Sequence, residues 1–346
     1  MEARPDRAGA TSAVVETITS ASWPAGAASL SVVVSSYRRP HFLPGLLAAL
    51  EAQSEAARIE VIIVDNGSGD STWELLSNYA RNTPLALCAA RIEENDGPAS
   101  GRNGGVTIAR TALLAFTDDD CMPAPGWAST ILASFAAGAR VIQGRTETEA
   151  GGRSPWDHTM TIRQPTQLFE TCNVAYFRDD IVAAGGFRPL PSYLFDGKRF
   201  GGEDTILGWD IVRRTGADLQ FLDDALVEHR VVPRGYRNWL KVRSSPSIFP
   251  ALMRSVPELR RELFLRVFLT SRAAAFDLAL LSTILAAATL NWVPLFGVLP
   301  YAWRLRPRRR QHLRTWAKRL VPLVIGDAAT AYGLLRGTIK HRRVVL

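Results

Sequence analysis

The sequence predicts an α/β fold: a mostly parallel sheet with helices on both faces, followed by a basic, apolar helical region. Two observations carry this. Short, continuously apolar runs alternate with segments of helical spacing through the first two thirds of the chain. Strands that are apolar at every position are buried on both faces, as in parallel sheets. The charge is also divided: residues 1–235 carry 21 Lys and Arg against 29 Asp and Glu, and residues 236–346 carry 20 against 4. The net +8 of the 346-residue chain hides that split. Because the basic part is also the most apolar, it points to an anionic membrane surface and away from nucleic acid.

Taken in order, residues 1–28 are rich in Ala, Ser, Thr, Gly and Pro without periodicity and read as a flexible tail with no secretory signal. A domain is expected over 29–235. LSVVVSS at 30–36 is its first strand, ending in the polar turn Ser36-Tyr37-Arg38-Arg39-Pro40, and 42–52 has helical spacing. IEVIIV at 59–64 is the second strand, ending in Asp65-Asn66-Gly67-Ser68, with a helix over 71–80. A short strand at 85–91 leads into Asn95-Asp96-Gly97-Pro98 and a helix over 99–110. An apolar strand at 113–116 then runs into Asp118, Asp119 and Asp120. Later, Phe200-Gly201-Gly202-Glu203-Asp204 opens a helix reaching about residue 214, and segments 219–222 and 225–229 close the domain. Ligands in such sheets sit at the carboxyl ends of strands, where every one of these polar clusters lies.

Three carboxylates ending a buried strand repel one another and are costly unless a cation neutralises them. Hard oxygen ligands favour Mg²⁺ or Mn²⁺, usually shared with a substrate's phosphates. Read alone, the triplet is also compatible with a solvated acidic turn. Cys88, Cys121 and Cys172 lack C-x-x-C spacing, so neither a disulfide framework nor a zinc site is expected, in keeping with a reducing cytoplasm.

The succession SVVVSSYRRP, IIVDNGSGDST, NDGPASGRNGG, LLAFTDDDCMPAPGW and FGGEDTILGWDIVRRTG resembles inverting glycosyltransferase family 2, with the GT-A fold, over residues 30–230. The resemblance implies a nucleotide-diphosphate sugar donor and a hexosyltransferase-type reaction. It places Ser36 and Tyr37 against base and ribose, Asp65 as an acceptor for base or ribose hydrogens, and Asp96 and Gly97 along the nucleotide pocket. Arg102 and Asn103 would lie near phosphate, at a helix start whose dipole favours anions. Asp118 and Asp120 become the D-x-D metal ligands, with Asp119 between them on ribose or donor sugar. His229 matches a position where some relatives add a metal ligand, although a histidine at a strand end also serves structure. Asp204 would be the general base and Glu203 would bind acceptor or donor sugar; an acidic helix N-terminus is the plainer reading of that pair.

The third region is expected over 236–346. No charged residue occurs from 278 to 303, enough for a membrane span, but Asn291 and Pro294 interrupt it and allow an interfacial hairpin. Arg304, Arg306 and Arg308 to Arg310 follow, placing this end at the cytoplasmic face of the membrane. Arg254, Arg260, Arg261, Arg266 and Arg272 interleave with apolar residues as in a basic amphipathic helix. A second apolar stretch, 321–335, contains Asp327 and is expected to be interfacial or packed. The acceptor expected beside such a region is a lipid-linked glycan of cell-envelope or polysaccharide biosynthesis. The Q-x-x-R-W motif of processive synthases is absent. Two alternatives remain: a membrane-associated scaffold with the same fold and no catalysis, and a sugar nucleotidyltransferase. The latter needs a Gly-rich loop after the first strand, where SSYRRP has no glycine.

Overall fold

The computed structural model describes residues 13–23, 26, 28–53, 58–151, 154–190, 194–195, 198–199, 201–307 and 313–346. Phe200 and the run Arg308 to Arg310 lie outside them. The chain divides into two compact units: Met1–Ser154 with His158–Val232, and Pro155–Asp157 with Pro233–Leu346. The break follows Val232 where the sequence suggested residue 235, and Pro155–Asp157 goes with the second unit.

The first unit alternates strand and helix: β1 (Val14–Thr19), β2 (Leu30–Ser36), α1 (Leu43–Glu51), β3 (Ile59–Asn66), α2 (Thr72–Asn82), β4 (Leu87–Ile92), α3 (Pro98–Ile108), β5 (Leu113–Thr117) and β6 (Cys121–Pro123). It continues with α4 (Trp127–Ala136), β7 (Val141–Thr148), β8 (Asn173–Phe177), α5 (Arg178–Ala183), β9 (Leu194–Phe195), β10 (Lys198–Arg199), α6 (Glu203–Thr215) and β11 (Leu219–His229). Among the described residues, nine strands form one sheet in the order β1-β4-β3-β2-β5-β8-β7-β11-β6. The β4-β3-β2-β5 half is parallel, whereas β8 is antiparallel to both its neighbours and β6 to β11.

Two expectations are corrected. The segment read as a flexible tail contains β1, which pairs antiparallel with β4 through Ile18↔Ala89 and Thr19↔Cys88. A half-exposed edge strand needs little apolar content, so composition hid it; residues 1–12 of that segment lie outside the described residues. Segments 219–222 and 225–229 are one strand, β11, with an irregularity between Leu222 and Val227.

Side chains alternate across each strand, so β2 sends Val32 and Val34 to one face and Val33 to the other. On the first face they meet Leu43, Leu47 and Leu50 of α1, Leu76 of α2 and Trp127 of α4. On the second they join Val106 of α3, Ile181 of α5, and Leu207 and Ile211 of α6. Each fully buried side chain of this size contributes about 1.5–3 kcal/mol before entropy is counted. The helix α3 sits close to β2 because its contact positions are glycines: a Cβ on Gly105 would collide with Val33, and one on Gly101 with Ser35. Gly105→Ala gains about 1 kcal/mol of helix propensity but overpacks a β-branched neighbour at a cost of about 1–3 kcal/mol. Net destabilisation, read as a lower denaturant midpoint at unchanged m-value, is the expected result; an unchanged midpoint would contradict the close packing.

The second unit holds α7 (Gly235–Arg243), α8 (Ile248–Ser255), α9 (Ser271–Thr289), α10 (Leu299–Leu305) and α11 (Leu313–His341). The charge-free stretch is broken: α9 ends at Leu290, in left-handed conformation, and a 3-10 turn over Val293–Val298 leads into α10. The expected amphipathic helix around Arg254–Arg272 is not continuous; α8 stops at Ser255 and a 3-10 turn spans Pro257–Arg261. Pro257 removes a backbone donor there. The 321–335 stretch lies within α11, where Asp327 and Leu334 are buried and Val321, Ile325, Tyr332 and Leu335 are exposed. Asp327 accepts from Arg272 (2.7 Å) and from the Tyr301 hydroxyl (2.6 Å), joining α9, α10 and α11.

Candidate active site

The carboxyl ends of β2, β3 and β5 lie together, because Ser36 of β2 is in register with Asp65 of β3 and Val33 with Phe116 of β5. Beyond Thr117 the chain turns through Asp118–Asp120 into β6, whose antiparallel pairing sets Cys121 opposite His229. The Arg230 amide donates to the Asp120 carbonyl at 2.8 Å, bringing the His229 ring beside the triplet. His229 Nδ1 lies 2.7 Å from the Arg230 carbonyl, which can only accept, so Nδ1 carries the hydrogen. Its Nε2 faces Asp120 Oδ1 at 3.6 Å.

Each aspartate has a different environment. Asp118 is the most open and accepts from Arg102 Nη2 at 3.2 Å. Asp119 is buried and accepts from Ser36 Oγ at 2.7 Å and Arg39 Nη1 at 3.1 Å. Burial pushes its carboxyl up to about 6, against the pull of Arg39 and with the push of Asp120. Asp120 accepts from Arg39 Nη1 at 2.8 Å and is also raised, by burial first and then by Asp118. Burial holds the Cys121 thiol well above its ordinary range, so it stays protonated beside a hard-ligand set.

The second acidic group opens α6. Gly201 and Gly202 take positive φ, +95° and +80°, and swing the chain so that Glu203 and Asp204 start the helix. Glu203 is buried; its Oε1 accepts from Arg102 Nη1 at 3.0 Å, and its Oε2 has no hydrogen-bond partner among the described residues. Asp204 is partly exposed and its Oδ1 accepts the Thr205 amide at 2.8 Å. Burial first, and then the neighbouring Glu203, push the Asp204 carboxyl up to about 8. Arg102, buried in the first turn of α3, thus ties the aspartate triplet to the α6 acids.

The nucleotide-side candidates divide. Asp65 is fully buried; Oδ1 accepts the Ser68 amide at 3.0 Å and Oδ2 has no partner. Gly97, at φ +93°, is buried and held by Asn66 Nδ2, which donates to its carbonyl at 2.7 Å. Tyr37 is half-buried under the Arg38 guanidinium, 5.1 Å from its ring centre. Asp96 is exposed. Three of the expected positions have partners within the protein. Asn103 gives both polar atoms to the Phe187 backbone, accepting at 2.8 Å and donating at 2.9 Å, so it anchors that loop. Arg102 is engaged by two carboxylates where a phosphate role was expected. Ser36 and Asp119 are bonded to each other. Sequence reasoning also missed Arg39, whose only signal was a second arginine in the turn after β2. It missed His158 as well, from an irregular segment, whose ring meets His229 edge-on at 5.3 Å.

Asp118, Asp119, Asp120, Glu203 and Asp204 stand against the guanidinium groups of Arg39 and Arg102, an excess of carboxylate. With His229 Nε2 beside them, the donor set fits a hard divalent cation; Asp120, Cys121 and His229 bring potential ligand atoms within 4.8 Å of one another.

The architecture is that of a GT-A-type α/β protein with an acidic site at the strand ends. Residues 31–196, just under half of the chain, match the glycosyl transferase family 2 model. The match ends before Glu203. Validoxylamine A glucosyltransferase of Streptomyces hygroscopicus subsp. jinggangensis is 28% identical over 221 residues, 52% of this chain and 50% of that protein. Glycosyltransferase AglE of Haloferax volcanii is 28% identical over 179 residues, 49% and 58%. The chain spans about half the length of the first of these relatives. Among solved structures, the Pyrobaculum calidifontis mannosyltransferase PcManGT, in complex with GDP-Man and Mn²⁺, aligns with TM-score 0.61 and 18% identity over 88% of this chain and 87% of that one. S. aureus TarS 1-349, in complex with UDP-GlcNAc, aligns with TM-score 0.51 and 15% identity over 91% and 92%.

Proposed function

We propose that the chain is a metal-dependent inverting glycosyltransferase. It would move a sugar from a nucleoside-diphosphate sugar to an acceptor hydroxyl in cell-envelope or polysaccharide synthesis. The observation that carries this is the meeting, at one end of one sheet, of the Asp118–Asp120 triplet with the Glu203–Asp204 pair through Arg102. Asp118, Asp120 and His229 would hold a divalent ion, Mg²⁺ or Mn²⁺, which when bound supplies Lewis-acid stabilisation of the diphosphate leaving group. Asp65 Oδ2, buried without a partner, suits an N–H or O–H donor of the nucleoside. Asp204 would take the proton from the attacking acceptor hydroxyl, and its raised pKa suits a base working near neutral pH. Glu203 Oε2, also buried without a partner, would accept a sugar hydroxyl, while Arg102 holds the carboxylate in place. The nucleotide sugars and Mn²⁺ named with PcManGT and TarS support this reading.

Calorimetric titration with UDP, GDP and dTDP, each with and without Mn²⁺, tests it. Metal-dependent binding of one nucleotide is expected, weakened about tenfold or more by Asp65→Ala through loss of a charged hydrogen bond. Binding of none by the folded protein would overturn the reading.

The second unit is proposed to rest on the cytoplasmic face of the membrane, near a lipid-linked acceptor. One helix, α9, is long and apolar enough to cross a membrane among the described residues, and only 22% of its most apolar window is buried. Leu281, Ile284 and Leu285 of α9, with Trp292, Phe296 and Trp303 beyond it, are exposed, and Arg304 and Arg306 follow. Apolar and aromatic surface beside basic residues fits an anionic bilayer interface.

A further inference from the structure

Within the second unit lies a cavity of about 350 Å³, walled by Phe249 of α8, Leu269 and the first turns of α9 as far as Phe276, and Ala331 of α11. That volume is in the range of small-ligand sites. Its lining is mostly apolar, with three charged side chains, Arg243, Arg272 and Asp327. Arg272 and Asp327 neutralise each other: Nε and Nη2 of the arginine lie 2.9 and 2.7 Å from Oδ2 of the aspartate, which also takes the Tyr301 hydroxyl. Arg243 is left over. Its guanidinium stacks on Trp239, 4.9 Å from the ring centre, and makes no ion pair or hydrogen bond among the described residues. Burial pulls it below the ordinary arginine value, with Arg272 pushing the same way and only Asp327 opposing. Arg243 is half-buried at the wall of this apolar cavity, and a paired anion would offset the cost of its partial desolvation.

We infer that this cavity binds the phosphate headgroup end of an anionic lipid, with the phosphate on Arg243 and the first carbons of the chains against Phe249, Leu269 and Phe276. A guanidinium binds phosphate oxygens in pairs, and the apolar walls suit the glycerol and acyl carbons that follow a lipid phosphate. The source is local as well: α9, whose first turns line the cavity, carries the exposed apolar residues that face lipid in the membrane reading. The inference rests on that reading and adds a defined headgroup site to it. It is independent of sugar transfer by the first unit.

A short-chain probe separates the two. Dihexanoyl phosphatidate, titrated calorimetrically into the full-length protein below its micellar concentration, reads the cavity without a bilayer. Flotation with phosphatidylcholine vesicles containing anionic phosphatidylglycerol reads membrane association by itself. Saturable phosphatidate binding is expected, weakened at least tenfold in Arg243→Gln and by less in Arg243→Lys, which keeps the charge but loses the paired contact. Ala273→Phe, which fills the cavity from its wall and keeps Arg243, is expected to lose it too, covering the case in which Arg243→Gln does not fold. Inorganic phosphate, hexanoate and uncharged dihexanoylglycerol are each expected to bind at least tenfold more weakly. Wild-type affinity in a folded Arg243→Gln would overturn the site. So would inorganic phosphate, hexanoate or dihexanoylglycerol binding as tightly as phosphatidate, since each removes one of the two chemistries the site requires.

Discussion

Asp120→Ala is expected to abolish the thermal stabilisation that Mn²⁺ and the cognate nucleoside diphosphate give the wild-type protein. A ligand at 100 times its dissociation constant stabilises by about 2.7 kcal/mol, about 5–10 °C for a unit of this size. Alanine removes the carboxylate that faces both Arg39 and His229. Arg39 retains Asp119, and one of three mutually repelling carboxylates is gone, so the metal-free protein should melt close to wild type. Differential scanning calorimetry with and without metal and nucleotide makes the comparison. A full metal-dependent shift in the variant would remove Asp120 from the metal site.

Asp204→Asn is expected to lower turnover by about 10²–10⁴-fold while leaving nucleotide affinity within about twofold, because the amide keeps the shape and cannot take a proton. The pH dependence follows from the raised carboxyl. A general base works only when ionised, so kcat/KM should fall about tenfold per pH unit below about 8 and level off above it. In Asp204→Asn that limb should disappear from the residual activity. Steady-state kinetics across pH, with nucleotide affinity measured separately, checks both. A variant that loses nucleotide binding and turnover in parallel would make Asp204 a donor-binding residue.

Much of this site was legible along the chain because its carboxylates follow directly on apolar strands or a glycine pair. Asp65 and Asp118–Asp120 end strands whose burial any reading of LSVVVSS, IEVIIV and LLAF predicts, and Gly201-Gly202 announces the α6 start. What each polar side chain holds was not legible. Arg102 and Asn103 are adjacent and share a helix start, yet one bridges two acidic clusters and the other pins the Phe187 backbone. Spacing alone treats them alike; the helix turns them about 100° apart, so they meet different neighbours.

The strand–helix alternation, the acidic strand ends, the apolar and basic character of residues 236–346 and the break near Asn291 all follow from local composition and period. Long-range packing set β1 at the sheet edge, paired β6 with β11 to bring His229 to Asp120, closed the acidic clusters with Arg39 and Arg102, and left Arg243 without an ion pair among the described residues. Those outcomes depend on long-range register and on which side chains share a buried space. Neither is written in the chemistry of neighbours along the chain.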